Sequence, residues 1–280
     1  MQADRINKGI KMKKQKNDTK KLFRTIGACS STYSYLLNRA FDNHNERAEQ
    51  ALGPLAGGIN RLGYQCGMLW GASMAAGAEA YRRFDNLDKA IAVTIEATKL
   101  LMESFQKRAN SIECSDITDC DWDSKMSMAK YFITGKFLGC FNLAEEWTEE
   151  AIETAEKSLG INESELPDKC VSCASEVIKK MGGTEKEMVM AAGFAGGLGL
   201  SGNACGALSA AIWKKNLLRT EKYTMHNQEA EEALEKFYEV TDYEILCEKI
   251  ADKHFESVDD HTEYINNGGC EKLINTLGEL

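Results

Sequence analysis

The feature that most constrains this chain is an internal echo. Residues 57–69, GGINRLGYQCGML, and residues 196–208, GGLGLSGNACGAL, share the pattern G-G-x4-G-x2-C-G-x-L without a gap. Six fixed positions in thirteen do not coincide by chance in a chain of 280 residues with 23 glycines and 10 cysteines. The chain is therefore two copies of one unit, and whatever fold the first copy takes, the second takes as well.

Cysteines extend the match on both sides. Upstream of each glycine motif a cysteine opens an amphipathic run, ACSSTYSYLLNRA around Cys29 and SCASEVIKKMG around Cys173. Downstream, DCDWDSKMSMAKYFITGKFLGCFNLAEEW is set against LCEKIADKHFESVDDHTEYINNGGCEKLI, pairing Cys120 and Cys140 with Cys247 and Cys270. Each copy then supplies four cysteines in order: Cys29, Cys66, Cys120, Cys140, and Cys173, Cys205, Cys247, Cys270. Cys114 and Cys170 are left over, as bystanders, spare ligands or redox thiols.

Between these anchors the apolar spacing is helical. Residues 85–110 carry a stripe through Leu87, Ile91, Thr98 and Leu101, with Asp85 or Asn86 as the cap. Residues 143–160 read as a helix with Glu in its first turn and Gly160 as its stop. EAEEALEKFYEV and DYEILCEKIADKHF continue the theme. Only two prolines occur, Pro54 and Pro167, and no useful alternating run appears. The expected architecture is an all-α bundle of two tandem cysteine/glycine units related by a pseudo-twofold: residues 25–160 and 161–280, joined by the polar segment 160–169.

Charge is unevenly spread. Residues 1–24 hold nine Lys or Arg against two Asp, giving +7, while the other 256 residues carry −16. An acidic body repels phosphates and argues against a nucleic-acid partner. The basic segment 1–24 reads as a flexible, solvated arm, with an acidic partner or the protein's own body as the other readings. No run approaches a membrane span, and the apolar stretch from Leu22 to Leu37 is broken by Arg24, Ser30, Ser31 and Ser34, unlike a secretory signal. A cytoplasmic location is expected, where ten cysteines suggest metal or redox chemistry, or buried small side chains, rather than disulfides.

Four thiolates per unit match the ligand count of a structural zinc or an iron–sulfur cluster. Zinc knuckles use close C-x2-C pairs, and only Cys170/Cys173 offers one. Widely separated ligands need a prefolded helical scaffold, which suits a bulkier cluster. Gly57, Gly58, Gly63 and Gly67, with Gly196, Gly197, Gly202 and Gly206, would let backbone N–H groups approach its sulfurs, and Cys66 or Cys205 would sit at a helix start that favours a thiolate.

On these residues the sequence resembles the C-GCAxxG-C-C family of redox-active proteins. That core is shared with the split-Soret cytochromes, in which the family's cysteines hold a small iron–sulfur cluster beside haems. The likeness is fullest through Cys173, Gly202, Cys205, Gly206, Ala207, Leu208, Cys247 and Cys270. It is looser through Cys29, Gly63, Cys66, Gly67, Leu69, Gly71, Cys120 and Cys140. It implies two clusters, [2Fe–2S] in type, although four cysteines fit [4Fe–4S] equally. The family's later glycine is present as Gly71 but is Ala210 in the second copy. Covalent c-type haem is excluded, since no C-x-x-C-H occurs.

The sequence thus points to electron transfer or small-molecule reduction, with a redox partner protein or a small oxidant or reductant. Neither nucleic acid nor membrane is expected, and a homodimer is compatible. The alternatives are a metal-free protein using Cys170/Cys173 as an exposed dithiol, and a zinc-bound helical module. His44, His226, His254 and His261 read as surface or capping residues, with His254 or His261 as a donor near the cysteines. Trp70, Trp122, Trp147 and Trp213 read as core or cluster shielding.

Overall fold

Two matching series of helices follow from the duplicated sequence. The computed structural model describes residues 16–219 and 225–280. Among them there is no β-strand, only two isolated bridges, Gln65 with Glu113 and Ala204 with Leu246. After α1 (16–26), the first half comprises α2 (Cys29–Ala40), α3 (Glu46–Ala51), α4 (Gly67–Arg83), α5 (Leu87–Ala109), α6 (Cys114–Thr118), α7 (Lys125–Ile133) and α8 (Phe137–Ser158). The second half comprises α9 (Cys173–Lys180), α10 (Glu185–Ala192), α11 (Gly206–Leu217), α12 (Gln228–Thr241), α13 (Cys247–Ile250), α14 (Val258–Asn266) and α15 (Glu271–Gly278). In order, α2 to α8 correspond to α9 to α15.

Local chemistry sets most boundaries. Asn86 caps α5 by accepting from the Lys89 N–H, and Asn110 ends it in the left-handed region. Thr184 and Glu187 form a reciprocal capping box on α10. Other boundaries differ from those expected. α8 starts at Phe137, six residues before Leu143, because an aromatic turn continues the helix upstream. Glu145 and Glu146 therefore lie inside it. Gly160 follows its end, but Leu159 closes the last turn without a left-handed residue. DYEILCEKIADKHF is not one helix: Asp242 and Tyr243 have positive φ, and only Cys247–Ile250 is helical.

Part of the basic arm is ordered. Of the segment expected as a flexible arm, residues 16–24 lie in α1 and pack on α8. Lys16 pairs with Glu149 and Lys20 with Glu145. Phe23 meets Phe141 edge-on at 4.7 Å. Residues 1–15 lie outside the described residues.

Within the first half α2 packs on α4 so closely that a Cβ at Gly71 would lie 2.0 Å from the Ser30 carbonyl oxygen. α5 and α8 flank them, closing over Trp147, which stacks on Tyr33 at 5.0 Å. In the second half α9 packs on α11 and α15 on α9. The halves then exchange contacts reciprocally. α10 lies on α4 and α5, while α3 lies on α11, where the Trp213 indole N–H donates to Ala48 O at 3.1 Å. Trp70 of one half meets Phe194 of the other edge-on at 4.8 Å, so a single apolar core runs through both. The segment expected as the join is largely exposed and holds one short 3₁₀ turn, Glu163–Glu165.

Candidate metal centres: two sulfur quartets

The glycine motifs build the same device twice. All five residues 57–61 and all five residues 196–200 have positive φ, one turn of left-handed helix in each copy. That conformation costs a residue with a Cβ about 1–2 kcal/mol, and glycine nothing comparable. Gly57 and Gly58 relieve two places in the first turn; Gly196, Gly197 and Gly199 relieve three in the second. Each turn closes on itself, with Gly63 N–H donating to Gly57 O at 3.0 Å and Gly202 N–H to Gly196 O at 2.9 Å. The chain then extends into the next helix. A Cβ at Gly67 would stand 2.4 Å from Cys29 Sγ, and one at Gly206 would stand 1.6 Å from Phe194 O.

Eight cysteines occupy the first turns or caps of eight helices. Cys29 and Cys173 open α2 and α9, and Cys66 and Cys205 are the N-caps of α4 and α11. Cys114 and Cys247 open α6 and α13. Cys140 lies in the first turn of α8, and Cys270 caps α15. A helix N-terminus presents free N–H groups and positive potential, which favour a thiolate. The donors match across the halves. The Gly57 N–H favours the thiolate of Cys29, and the Gly196 N–H that of Cys173. The Met68 N–H acts in the same sense on Cys66, and the Leu208 and Ala207 N–H groups on Cys205.

The sequence alignment of the third cysteine is corrected here. Cys66 N–H donates to Ile112 O at 2.7 Å, and Cys205 N–H to Ile245 O at 2.9 Å. In return Cys114 N–H donates to Tyr64 O, and Cys247 N–H to Asn203 O, both at 2.7 Å. Cys114 is therefore the structural counterpart of Cys247. Cys29, Cys66, Cys114 and Cys140 together line one cavity of about 140 Å³, and Cys120 is not among its lining residues. Cys120 is buried to one side, accepting from Ser127 Oγ at 3.7 Å. The signal that identifies the right pair is the short motif Ile-x-Cys, Ile112-Glu113-Cys114 and Ile245-Leu246-Cys247.

In the second half Cys247 lies close enough to Cys205, Cys173 and Cys270 for their charges to raise its thiol. Tyrosine hydroxyls stand against the last cysteine of each quartet, Tyr131 Oη 3.2 Å from Cys140 Sγ and Tyr264 Oη 3.9 Å from Cys270 Sγ. Cys170 does not join its neighbour Cys173: it faces Thr262, whose Oγ1 donates to its sulfur at 3.8 Å. Both are buried, at 2% and 6% exposure, so the expected exposed dithiol is absent. His261 Nδ1 meets Val171 O at 3.2 Å and His254 faces Glu248, so neither serves the sulfurs directly.

Burial outweighs the helix ends in setting the thiols' acidity. It pushes Cys140 up to about 11 and Cys205 to about 12, and raises Cys173, Cys247 and Cys114 strongly. The interaction of Cys29 with Cys66 lowers Cys29 and, with burial, raises Cys66. Among the described residues, none that lines the cavity carries a charged side chain that could hold a thiolate. The wall does carry a spare donor: the buried Trp122 Nε1–H lies beside Cys114 without a full hydrogen-bond partner. Four sulfurs, helix N–H groups and the indole N–H thus surround one space. This donor set fits a positively charged, sulfur-liganded group that also accepts hydrogen bonds. Among the described residues no three His, Cys, Asp or Glu side chains converge to hold a single metal ion. None of the described helices is long and apolar enough to cross a membrane.

A family model described as "Putative redox-active protein (C_GCAxxG_C_C)" matches the chain twice, over residues 28–157 and 167–280. No curated protein and no solved structure matches the chain.

Proposed function

Because this chain belongs to the C_GCAxxG_C_C family of redox-active proteins, with the family unit present twice, we propose that each half holds one iron–sulfur cluster on four cysteines. The ligands are Cys29, Cys66, Cys114 and Cys140 in the first half, and Cys173, Cys205, Cys247 and Cys270 in the second. The observation that carries this reading is the first cavity, where four thiols at helix starts face one uncharged space of about 140 Å³. Sulfurs set around a cavity suit a multi-iron cluster. The family likeness favours [2Fe–2S].

When bound, such a cluster supplies a one-electron couple. The chain's own residues prepare the site for it. Helix N-termini and the N–H groups of Gly57, Gly196, Met68, Ala207 and Leu208 stabilise sulfur in its anionic form. Trp122 offers a further donor in the first half. Trp122, Tyr131, Phe137 and Phe141 keep water from its wall. The protein then acts as an electron carrier or as a reductase of small molecules.

A metal-free dithiol reading has one observation in its favour, the contact between Cys29 and Cys66. Anaerobic purification followed by an absorption spectrum and iron and acid-labile sulfide assays separates the two. Charge-transfer bands in the visible with matching iron and sulfide are expected. A colourless, iron-free protein forming a Cys29–Cys66 disulfide on oxidation is the result that overturns the cluster reading.

A further inference from the structure

Four large apolar side chains crowd the surface within thirteen residues: Met126 at 81% exposure, Phe132 at 53%, Ile133 at 86% and Leu138 at 45%. They belong to α7 and the first turn of α8. Isolated exposed apolar residues are ordinary, but a contiguous patch marks an interaction surface. α7 buries one side chain of its own, Tyr131, whereas its counterpart α14 buries Val258, His261 and Thr262.

The patch is continuous with the first sulfur site. The half-exposed Phe132 is itself part of the cavity wall. Its ring stands 5.2 Å from Tyr131 and 6.1 Å from Phe137, and Tyr131 meets Trp122 at 5.4 Å. Aromatic rings thus line the cavity on the side that carries Cys114 and Cys140.

Cations rim this patch on a chain whose net charge is −9. Lys125 and Lys130 are exposed on α7, and Lys21 is exposed on α1. Arg24 lies 5.6 Å from the Phe141 ring centroid. Lys136 is paired with Asp119, and Asp121 and Asp123 stand at the entry to α7. With Lys136 and Asp119 paired, Lys125, Lys130 and Arg24 outnumber Asp121 and Asp123, so the apolar, aromatic centre has a slightly basic edge that favours an acidic protein surface.

We propose that the α7 face is the docking site for a small acidic one-electron carrier protein, which makes the first half the point of electron entry. This rests on the cluster reading above. In the step itself one electron leaves the reduced carrier and arrives at the first-half centre; no bond forms or breaks and no proton is needed.

The test uses the full chain, with iron measured in every preparation, against an immobilised plant-type ferredoxin as the acidic carrier. Wild type should bind, and binding should weaken at least tenfold between about 50 and about 300 mM salt. Ile133→Asp and Lys130→Glu should each weaken binding at least tenfold at unchanged iron content. Leu100→Asp, an exposed apolar site on α5, should not. The docking proposal is overturned if iron-loaded wild type does not bind, or if Ile133→Asp binds as well as wild type. It is also overturned if Ile133→Asp instead turns a sedimenting dimer into a monomer, which would assign the face to a second copy. Wild type that is iron-free after anaerobic purification yet binds with this salt and mutant pattern keeps the docking site and overturns the cluster reading, so the two fail separately.

Discussion

The two halves carry the same sulfur plan under different covers. In the second half α14 is anchored: His261 is buried between Phe255 and the Val171 carbonyl, and Thr262 reaches Cys170. In the first half α7 offers the same tyrosine to the last cysteine but turns Met126 and Ile133 to solvent. A duplicated fold can therefore keep its cysteine geometry, which glycines and helix starts impose, while the covering helix diverges, buried in one copy and exposed in the other. The left-handed turns diverge in the same sense. The second places glycine at three of its five positions, while the first bears Ile59, Asn60 and Arg61 in that conformation.

The sharpest way to break this comparison is at the α2–α4 contact. Gly71→Ala should cost about 3 kcal/mol or more, since its Cβ would meet the Ser30 carbonyl oxygen at 2.0 Å. The reverse change in the other half, Ala210→Gly, should cost only about 1 kcal/mol through helix propensity and lost packing. Chemical denaturation of the two variants checks the asymmetry; equal losses would mean that the halves do not pack as described.

Acid should distinguish the halves next. Burial holds His261 down to about 4. Its folded value lies below the unfolded one, so the stability it allows is present above about pH 6.5 and is lost as pH falls toward 4. The metal-free protein should lose on the order of 2–3 kcal/mol over that window, and His261→Gln should flatten the dependence. Hydrogen exchange should show α14 loosening with acid while α7, which has Met128 at the corresponding place, does not follow.

A smaller effect is expected at Trp122, whose counterpart is Phe255: each packs on the tyrosine nine residues later. Trp122→Phe makes the first site resemble the second. Loss of one N–H donor near Cys114 should lower the first-half reduction potential by on the order of 40 mV, leaving the second unchanged in a redox titration.

Much of this architecture is legible in the residues. The ungapped glycine motif establishes the duplication, and helical spacing with the Asn86 cap locates α5. The two helix-capping cysteines, Cys66 and Cys205, follow from their place before apolar runs. The counterpart of Cys247 is misread when cysteines are matched by spacing to the last one, because the segment from Cys114 to Cys140 is three residues longer than that from Cys247 to Cys270. What fixes the match is a backbone exchange with the strand-like residues after Gly63 and Gly202, a long-range pairing that periodicity cannot show. The packing of α10 on α4 is equally hidden, since it depends on Gly77 admitting the Val189 carbonyl across halves. The docking of α1 on α8 is carried by single pairs, Phe23 with Phe141 and Lys20 with Glu145.

The central claim is that the first centre is built on Cys114 and not Cys120. Iron and sulfide are to be measured in anaerobically prepared Cys114→Ser and Cys120→Ser beside wild type. Two equivalent centres predict that Cys114→Ser loses about half of both and Cys120→Ser keeps all of it. Full iron in Cys114→Ser with loss in Cys120→Ser would contradict the account.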